Sequence, residues 1–191
     1  MQHFEQLFTS FDPAKAEIAG AATTQRFLSD LRGCFADGNA YDAALSSGNP
    51  PIYHVASIEP GCDSGDLHLG IGLVLPGRIG SEYYMTKGHF HSWREAAEVY
   101  IGLRGDGVML LENESNGQCQ LLPLQPNRIV YVPGHTAHRT INIGAAPLTY
   151  LGIYPAKAGH DYGASAARSF RHVVIERDGR PLMLERSTLL L

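Results

Sequence analysis

From Ile52 onward the sequence alternates between short apolar runs and turns that are rich in glycine and proline. The runs include IYHVASI, LHLGIGLVL, EVYIGLR and RIVYVP, and the turns include PGRIG, RGDG and PGHTA. Many short strands at this spacing predict a β-sandwich or a closed barrel. The segment VIERDGRPLML predicts a hairpin with its turn at Asp178–Gly179. We therefore expect an all-β barrel domain over residues 52–191.

The first fifty residues have a different pattern. The segment TTQRFLSDLRGCF has apolar residues at helical spacing and offers Thr23 or Thr24 as an N-cap. A second short helix is expected in NAYDAALSSG, and GNPP, residues 48–51, cannot continue a helix. Residues 1–51 are therefore predicted to form a short helical N-terminal extension that packs on the barrel.

Composition argues against several classes of partner. The net charge is -4 and acidic and basic residues are mixed, which leaves no basic stripe for a nucleic acid. No stretch approaches the roughly 18 apolar residues of a membrane span, and the N-terminus does not read as a signal peptide. The three cysteines are widely spaced and never form CxxC, which fits a reducing compartment. We expect a cytoplasmic protein without nucleic-acid or membrane partners.

The histidines of TKGHFH indicate a possible metal site. On an extended strand His89 and His91 point to the same side. Glu98 begins the strand EVYIGLR, and His138 follows the turn in VPGHTAH. Three imidazoles and one carboxylate suit a divalent ion such as iron, manganese, zinc or nickel, with open positions for a substrate. Alone, the histidine pair is equally typical of a packed strand, but the whole combination favours a metal.

The same residues carry a resemblance to a known family. The pattern His89-x-His91, Glu98, Gly105 and PGHTAH is similar to the two signature motifs of the cupin superfamily. The longer gap before the glutamate, with YYMTKGHFH, AEVYIGLRGDGVMLLE, VYVPGHTAHRTINIG and IYPAKAGHDYG, closely resembles the cupin-type glucose-6-phosphate isomerases. Gly134 lies one place earlier than in the usual cupin motif.

The resemblance implies a cupin double-stranded β-helix, or jelly-roll barrel, that is usually a homodimer. It implies aldose–ketose isomerisation of glucose 6-phosphate and fructose 6-phosphate. One divalent ion per subunit, often iron, would be held by His89, His91, Glu98 and His138.

The neighbouring residues suit a sugar phosphate. Thr86 offers a hydroxyl, Lys87 a positive charge and Gly88 an unobstructed backbone N–H. The resemblance assigns substrate contacts to His160 and Tyr162, and it places further tyrosines in the pocket. The predicted set is catalytic Glu98, Tyr100 and His160, with substrate contacts from Tyr53, Thr86, Lys87, Gly88, Tyr154 and Tyr162.

The sequence departs from the family pattern at one strand, and alternative mechanisms and functions stay open. The strand before PGRIG usually carries hydroxyl residues in the family, but residues 70–75 read GIGLVL. This predicts a rearranged phosphate contact and an altered substrate preference.

Hydrogen transfer through an enediolate, with Glu98 as base, and a direct hydride shift are both compatible with the residues. A cupin dioxygenase and a non-catalytic sugar-phosphate-binding cupin are the alternative functions. Trp93, in SWREAA, suits a lid or a subunit contact.

Overall fold

The computed structural model describes residues 8–162 and 170–189. Its single α-helix within these ranges is α1 (Gly38–Ser47), and two short 3-10 helices cover Leu28–Leu31 and Arg186–Leu189. The strands are β1 (Phe11–Asp12), β2 (Glu17–Ile18), β3 (Thr23–Phe27), β4 (Pro51–Ile58), β5 (Leu67–Val74), β6 (Arg78–Ile79), β7 (Glu82–Tyr83), β8 (Glu98–Arg104), β9 (Gly107–Asn113), β10 (Cys119–Leu124), β11 (Ile129–Val132), β12 (Thr136–Asn142), β13 (Leu148–Pro155), β14 (His172–Arg177) and β15 (Arg180–Glu185).

Two antiparallel sheets enclose the main core. One has six strands in the order β11-β8-β13-β5-β4-β3, and the other has the order β10-β9-β12. The segment before β8 extends the smaller sheet, because Met85 pairs with Ile141 and His89 with His138. Apolar side chains from both sheets form one buried cluster, with Met109 on one side and Leu148 on the other. The all-β prediction is confirmed.

The C-terminal hairpin is confirmed. Strands β14 and β15 pair from His172 with Glu185 to Arg177 with Arg180. Asp178 and Gly179 both have positive φ, 54° and 74°, as the preferred two-residue hairpin turn requires. These strands lie in a third sheet, of order β15-β14-β7-β6.

The predicted helix from Thr23 is wrong in its first part. Thr23–Phe27 form the edge strand β3, which pairs with β4 so that Arg26 lies opposite Tyr53. The helical spacing arose because Leu28 and Leu31 are buried by a single 3-10 turn. Pairing with a strand that lies far along the chain therefore overrode the local pattern. The division at residue 51 stays a prediction.

The second predicted helix is confirmed as α1. The side chain of Asp37 caps it by accepting a hydrogen bond from the backbone N–H of Ala40, and the helix ends before Gly48. Within the described ranges, no helix has the length and apolar character to cross a membrane.

Candidate metal centre and sugar-phosphate cavity

The four predicted metal ligands meet at one point inside the barrel. Their ligand atoms all lie within 4.8 Å of one another. His89 and His91 come from the segment before β8, His138 from β12, and Glu98 from the facing sheet. Oε2 of Glu98 lies 3.2 Å from Nε2 of His91 and 3.0 Å from Nε2 of His138. Two facing sheets therefore supply one compact donor set.

Backbone carbonyls orient two of the imidazoles. Nδ1 of His91 lies 3.0 Å from the carbonyl of Ala96, and Nδ1 of His138 lies 3.2 Å from that of Thr136. A carbonyl only accepts, so each Nδ1 carries a hydrogen, and this contact directs each Nε2 toward the centre.

The centre also contains a buried nitrogen atom without a hydrogen-bond partner, Nε2 of His89. Burial, together with the imidazoles of His138 and His160, holds the pKa of His89 well below its usual value. A neutral imidazole with a free, buried lone pair is the form that binds a metal. This donor set fits a divalent ion with open coordination positions.

Glu98 is ionised in this environment. Burial raises the pKa of Glu98, but the adjacent imidazoles of His138 and His91 outweigh burial and lower it to about 2. Burial and the negative charge of Glu98 hold the pKa of Tyr100 well above its usual value, so its phenol stays protonated. Gly152 leaves the space for the carboxylate, since a Cβ there would lie 2.9 Å from Oε1 of Glu98.

The centre opens into a cavity of about 240 Å³. All predicted catalytic and substrate-binding residues line it, and of the predicted metal ligands only His91 does not. The predicted residues in the lining are Tyr53, Thr86, Lys87, Gly88, His89, Glu98, Tyr100, His138, Tyr154, His160 and Tyr162. Their proximity follows from strand alternation, since every second residue of β4, β8 and β13 faces inward.

The segment Thr86–Gly88 is held rigidly at the edge of this cavity. Thr86 exchanges hydrogen bonds with Thr140: its N–H donates to the Thr140 carbonyl, and its Oγ1 accepts from the Thr140 N–H. The buried guanidinium of Arg139 donates to the carbonyl of Lys87 at 2.6 Å. Gly88 has a φ of 72°, in the left-handed region that favours glycine.

Gly88→Ala is expected to destabilise the fold and disturb this segment. A Cβ at position 88 would lie 2.6 Å from the ring of Phe170 and 3.0 Å from Cβ of Arg139. Left-handed strain and overpacking together predict a loss of about 2–4 kcal/mol in the free energy of unfolding.

Chemical denaturation measures this loss. Gly38→Ala is the matched control, because a Cβ at Gly38 meets nothing within 4 Å and Gly38 lies inside α1. Equal stability of the two variants would contradict the close packing at Gly88.

The segment with His160 and Tyr162 forms the rim opposite. The two rings stack with centroids 5.6 Å apart and planes 5° apart. The centroid of His160 also lies 4.6 Å from that of His89. Between them, Asp161 donates its N–H to the carbonyl of Phe90 and accepts from the guanidinium of Arg94 at 2.7 Å. The insertion SWREAA thus anchors the rim through Arg94; Trp93 beside it is exposed, and its role stays a prediction.

Sequence reasoning missed five residues with polar side chains that line the cavity. They are Thr24, Arg26, Ser57, Glu59 and Tyr150. Ser57 and Tyr150 share strand parity with Tyr53 and Tyr154, and that signal was available in the sequence. Thr24 and Arg26 were hidden by the incorrect helix prediction.

Tyr150 also explains one glycine of β5, the strand that lacks the hydroxyl residues usual in the family. A Cβ at Gly72 would lie 2.4 Å from the ring of Tyr150, so the glycine provides room for this phenol. A tyrosine hydroxyl from β13 therefore stands where β5 has no hydroxyl of its own. Burial raises the pKa of Tyr150 above its usual range, so the phenol is a hydrogen-bond donor.

The histidines outside the motifs have other partners. His54 contacts the carbonyl of Lys15, His68 that of Gly61, and His135 the carboxylate of Glu114. His172 lies with Glu112 and Cys119 in a second group of ligand-type residues. The Glu112 carboxylate there already accepts the backbone N–H groups of residues 171 and 172 and Nδ1 of His172.

Two facing antiparallel sheets around a three-histidine, one-carboxylate centre define a cupin with a candidate metal site. The family described as Glucose-6-phosphate isomerase (GPI) matches residues 25–188. Glucose-6-phosphate isomerase of Pyrococcus abyssi (strain GE5 / Orsay) is 42% identical over 175 residues, covering 92% of each chain. That of Pyrococcus furiosus (strain ATCC 43587 / DSM 3638 / JCM 8422 / Vc1) is 43% identical over 162 residues, covering 85% of each.

Among solved structures, oxalate decarboxylase from Bacillus subtilis at pH 4.6 aligns with a TM-score of 0.44 and 22% identity, over 58% of this chain and 27% of that chain. The family match and the identity of the two relatives show that this chain belongs to the cupin-type glucose-6-phosphate isomerase family. The resemblance noted in the sequence is confirmed, and so is the prediction of an enzyme.

Proposed function

We propose that this protein interconverts glucose 6-phosphate and fructose 6-phosphate as a metal-dependent aldose–ketose isomerase of glycolysis and gluconeogenesis. The observation that carries the proposal is a single cavity with the four candidate metal ligands at its base and Thr86–Gly88 at its edge. Membership of the family supports the same substrate pair.

His89, His91, Glu98 and His138 would hold one divalent ion, with iron the first choice and manganese, zinc and nickel the alternatives. Such an ion supplies Lewis-acid stabilisation of the negative charge that develops on the sugar oxygens. Carbonyl contacts to Nδ1 of His91 and His138 keep their rings in the orientation that binding requires.

The residues beside the centre would bind and orient the open-chain sugar. The protonated phenol of Tyr100 is a donor next to Glu98. Burial lowers the pKa of His160, so its imidazole is neutral and can take a proton from one sugar oxygen and return it to the other. Tyr53, Tyr154 and Tyr162 line the remainder of the path toward the phosphate.

Two routes for the hydrogen follow. In the enediolate route, Glu98 takes the proton from C2 of the aldose and returns it to C1 while a proton moves from O2 to O1. The lowered pKa of Glu98 makes its carboxylate a weak base for this step. In the hydride route, hydrogen passes directly from C2 to C1 and no protein base contacts carbon. Label from C2 appears in the solvent only by the first route.

The phosphate would be bound by the Thr86 hydroxyl, the Lys87 ammonium and the Gly88 N–H. Nζ of Lys87 lies 5.9 Å from the ring centroid of Tyr162, which directs the charge toward the cavity rim. A cupin dioxygenase acting on an apolar substrate would have little use for this lining. A non-catalytic binding protein would not need the orientation of His91 and His138.

We also propose that the protein is a cytoplasmic homodimer. The outward face of the six-stranded sheet carries apolar side chains, with Ile129 and Tyr131 69% and 61% exposed on β11 and Leu67 exposed on β5. An apolar sheet face of this kind is typical of a protein interface. Analytical ultracentrifugation at micromolar concentration tests the dimer, and a monomer there would contradict it. Cell fractionation tests the compartment.

The direct test of function is conversion of fructose 6-phosphate, coupled to glucose-6-phosphate dehydrogenase. Purified protein reloaded with Fe²⁺ is expected to give kcat values in the range of about 1–1,000 per second. Oxygen uptake and binding without turnover are the readouts of the two alternatives. Substrate binding without any conversion would refute the proposed isomerase.

A further inference from the structure

We propose that Arg26, on the edge strand β3, is a second phosphate-binding cation and a determinant of specificity for phosphorylated sugars. This inference rests on the proposed function and deepens it. It assigns a substrate-binding role to the first strand of the six-stranded sheet, in the part of the chain that the sequence predicted to be helical.

Strand alternation directs Arg26 into the cavity. On β3, Thr24 and Arg26 line the cavity, whereas the intervening Gln25 is exposed and does not. The register places Arg26 opposite Tyr53 of β4, and Tyr53 lines the same cavity. An edge strand with one inward-facing arginine thus closes the side of the pocket next to a predicted substrate contact.

Arg26 and the segment that carries Lys87 lie beside the same two tyrosines. Burial raises the pKa of Tyr53 to about 12, and both the backbone of Lys87 and the charge of Arg26 oppose that rise. Burial also raises the pKa of Tyr162, again opposed by Arg26. Nζ of Lys87 lies near the Tyr162 ring. Arg26 therefore approaches one end of the cavity from β3, and Lys87 approaches the same end from the segment before β8.

The charges of this end have no acidic partner within the cavity. Among the described residues, the ion pairs include neither Arg26 nor Lys87. The two carboxylates in the lining, Glu59 and Glu98, form no ion pair with either cation. One end of the cavity is thus cationic, and a planar guanidinium there can form two parallel hydrogen bonds to a phosphate.

Arg26 also fits the lack of hydroxyl residues at positions 70–75, where the sequence departs from the family pattern. β5 presents Gly70 to the cavity and offers no hydroxyl of its own to a phosphate. A guanidinium supplies charge-assisted hydrogen bonds, which are roughly twice as strong as neutral ones. We therefore expect selectivity for the phosphorylated sugar to depend on charge more than on hydroxyl contacts.

Calorimetric titration of metal-loaded protein with glucitol 6-phosphate, which cannot be isomerised, measures the contribution of Arg26. Arg26→Gln is expected to weaken binding about 10- to 100-fold, the loss of one or two charge-assisted hydrogen bonds. Arg26→Lys should recover part of the affinity. Unphosphorylated glucitol, titrated in parallel, should bind the wild type and Arg26→Gln equally.

Arg104→Gln is the matched control, because Arg104 is exposed at the end of β8 and its replacement removes the same charge outside the cavity. It should change the Kd for glucitol 6-phosphate less than twofold. In the coupled assay, Arg26→Gln should raise KM for fructose 6-phosphate and leave kcat within about threefold, the pattern of lost ground-state binding.

Equal Kd values for Arg26→Gln and Arg104→Gln, in wild-type protein that still isomerises fructose 6-phosphate, would overturn the role of Arg26 and leave the proposed function intact. Wild-type protein that binds glucitol 6-phosphate without isomerising fructose 6-phosphate would refute the proposed function. The Kd values of the variants would then still decide whether Arg26 binds the phosphate. A parallel loss of glucitol affinity would show a general effect on the cavity and would also overturn the inference.

Discussion

His138→Ala is expected to abolish metal binding and to lower turnover by about a thousandfold, because a bound ion contributes several kcal/mol of charge stabilisation to the reaction. His138 is 1% exposed, and its Nε2 lies 3.0 Å from Oε2 of Glu98. Removing it leaves two imidazoles and one carboxylate, with a cavity in place of one ligand. Elemental analysis after dialysis and the coupled assay measure the two effects.

His54→Ala is the matched control. His54 contacts the carbonyl of Lys15 outside the cavity, so this variant should keep its metal and its turnover. Full metal content in His138→Ala would show that His138 is not a metal ligand. Near-native turnover in metal-depleted His138→Ala would contradict metal-dependent catalysis itself.

Glu98→Gln is expected to lower kcat about 100- to 1,000-fold, within the range for the loss of a general base or an equivalent charge. Glutamine has almost the same shape as glutamate, so the packing against Gly152 should persist. What disappears is the negative charge beside His91 and His138. The assay must be run on protein whose metal content equals that of the wild type, so that lost chemistry is not confused with lost metal.

Exchange of C2 deuterium with water assigns the loss of activity to one of the two routes. If Glu98 is the base, wild-type protein washes out the label and Glu98→Gln does so far more slowly. Glu95→Gln, at an exposed position just before β8, is the control and should behave as the wild type. Near-native turnover of metal-loaded Glu98→Gln would refute the proposed role of Glu98 in either route.

The donor set could be predicted because its signals are local. Within an extended segment, spacing alone determines that His89 and His91 share a side, and the same rule applies to Glu98 and Tyr100 on β8. The approach of His138 to this group depended on the order of the cupin motifs, because no local rule brings β12 beside the segment before β8.

The contribution of β3 could not be predicted in the same way. The spacing of Leu28 and Leu31 is helical, and a 3-10 turn buries both. The local pattern therefore predicted a helical turn correctly at these residues, but the predicted helix was too long. The strand at Thr23–Phe27 exists because β4 offers it a pairing edge, which only the folded chain reveals. The same limitation hid Arg26, whose direction depends on that register.

The glycines of β5 show a further limit. Gly70 and Gly72 predicted a poorer phosphate contact because they lack side chains. In the folded chain, Gly72 makes room for the phenol of Tyr150, which comes from a strand nearly eighty residues later in the sequence. Space left by a missing side chain carries no local information about the residue that fills it.

The central claim is that catalysis depends on a divalent ion held by His89, His91, Glu98 and His138. Its most direct test is conversion of fructose 6-phosphate by one preparation before chelation, after chelation with removal of the chelator, and after addition of one equivalent of Fe²⁺. We predict loss of activity in proportion to loss of metal, and its recovery on reloading. Full activity in protein shown by elemental analysis to contain no metal would contradict the account.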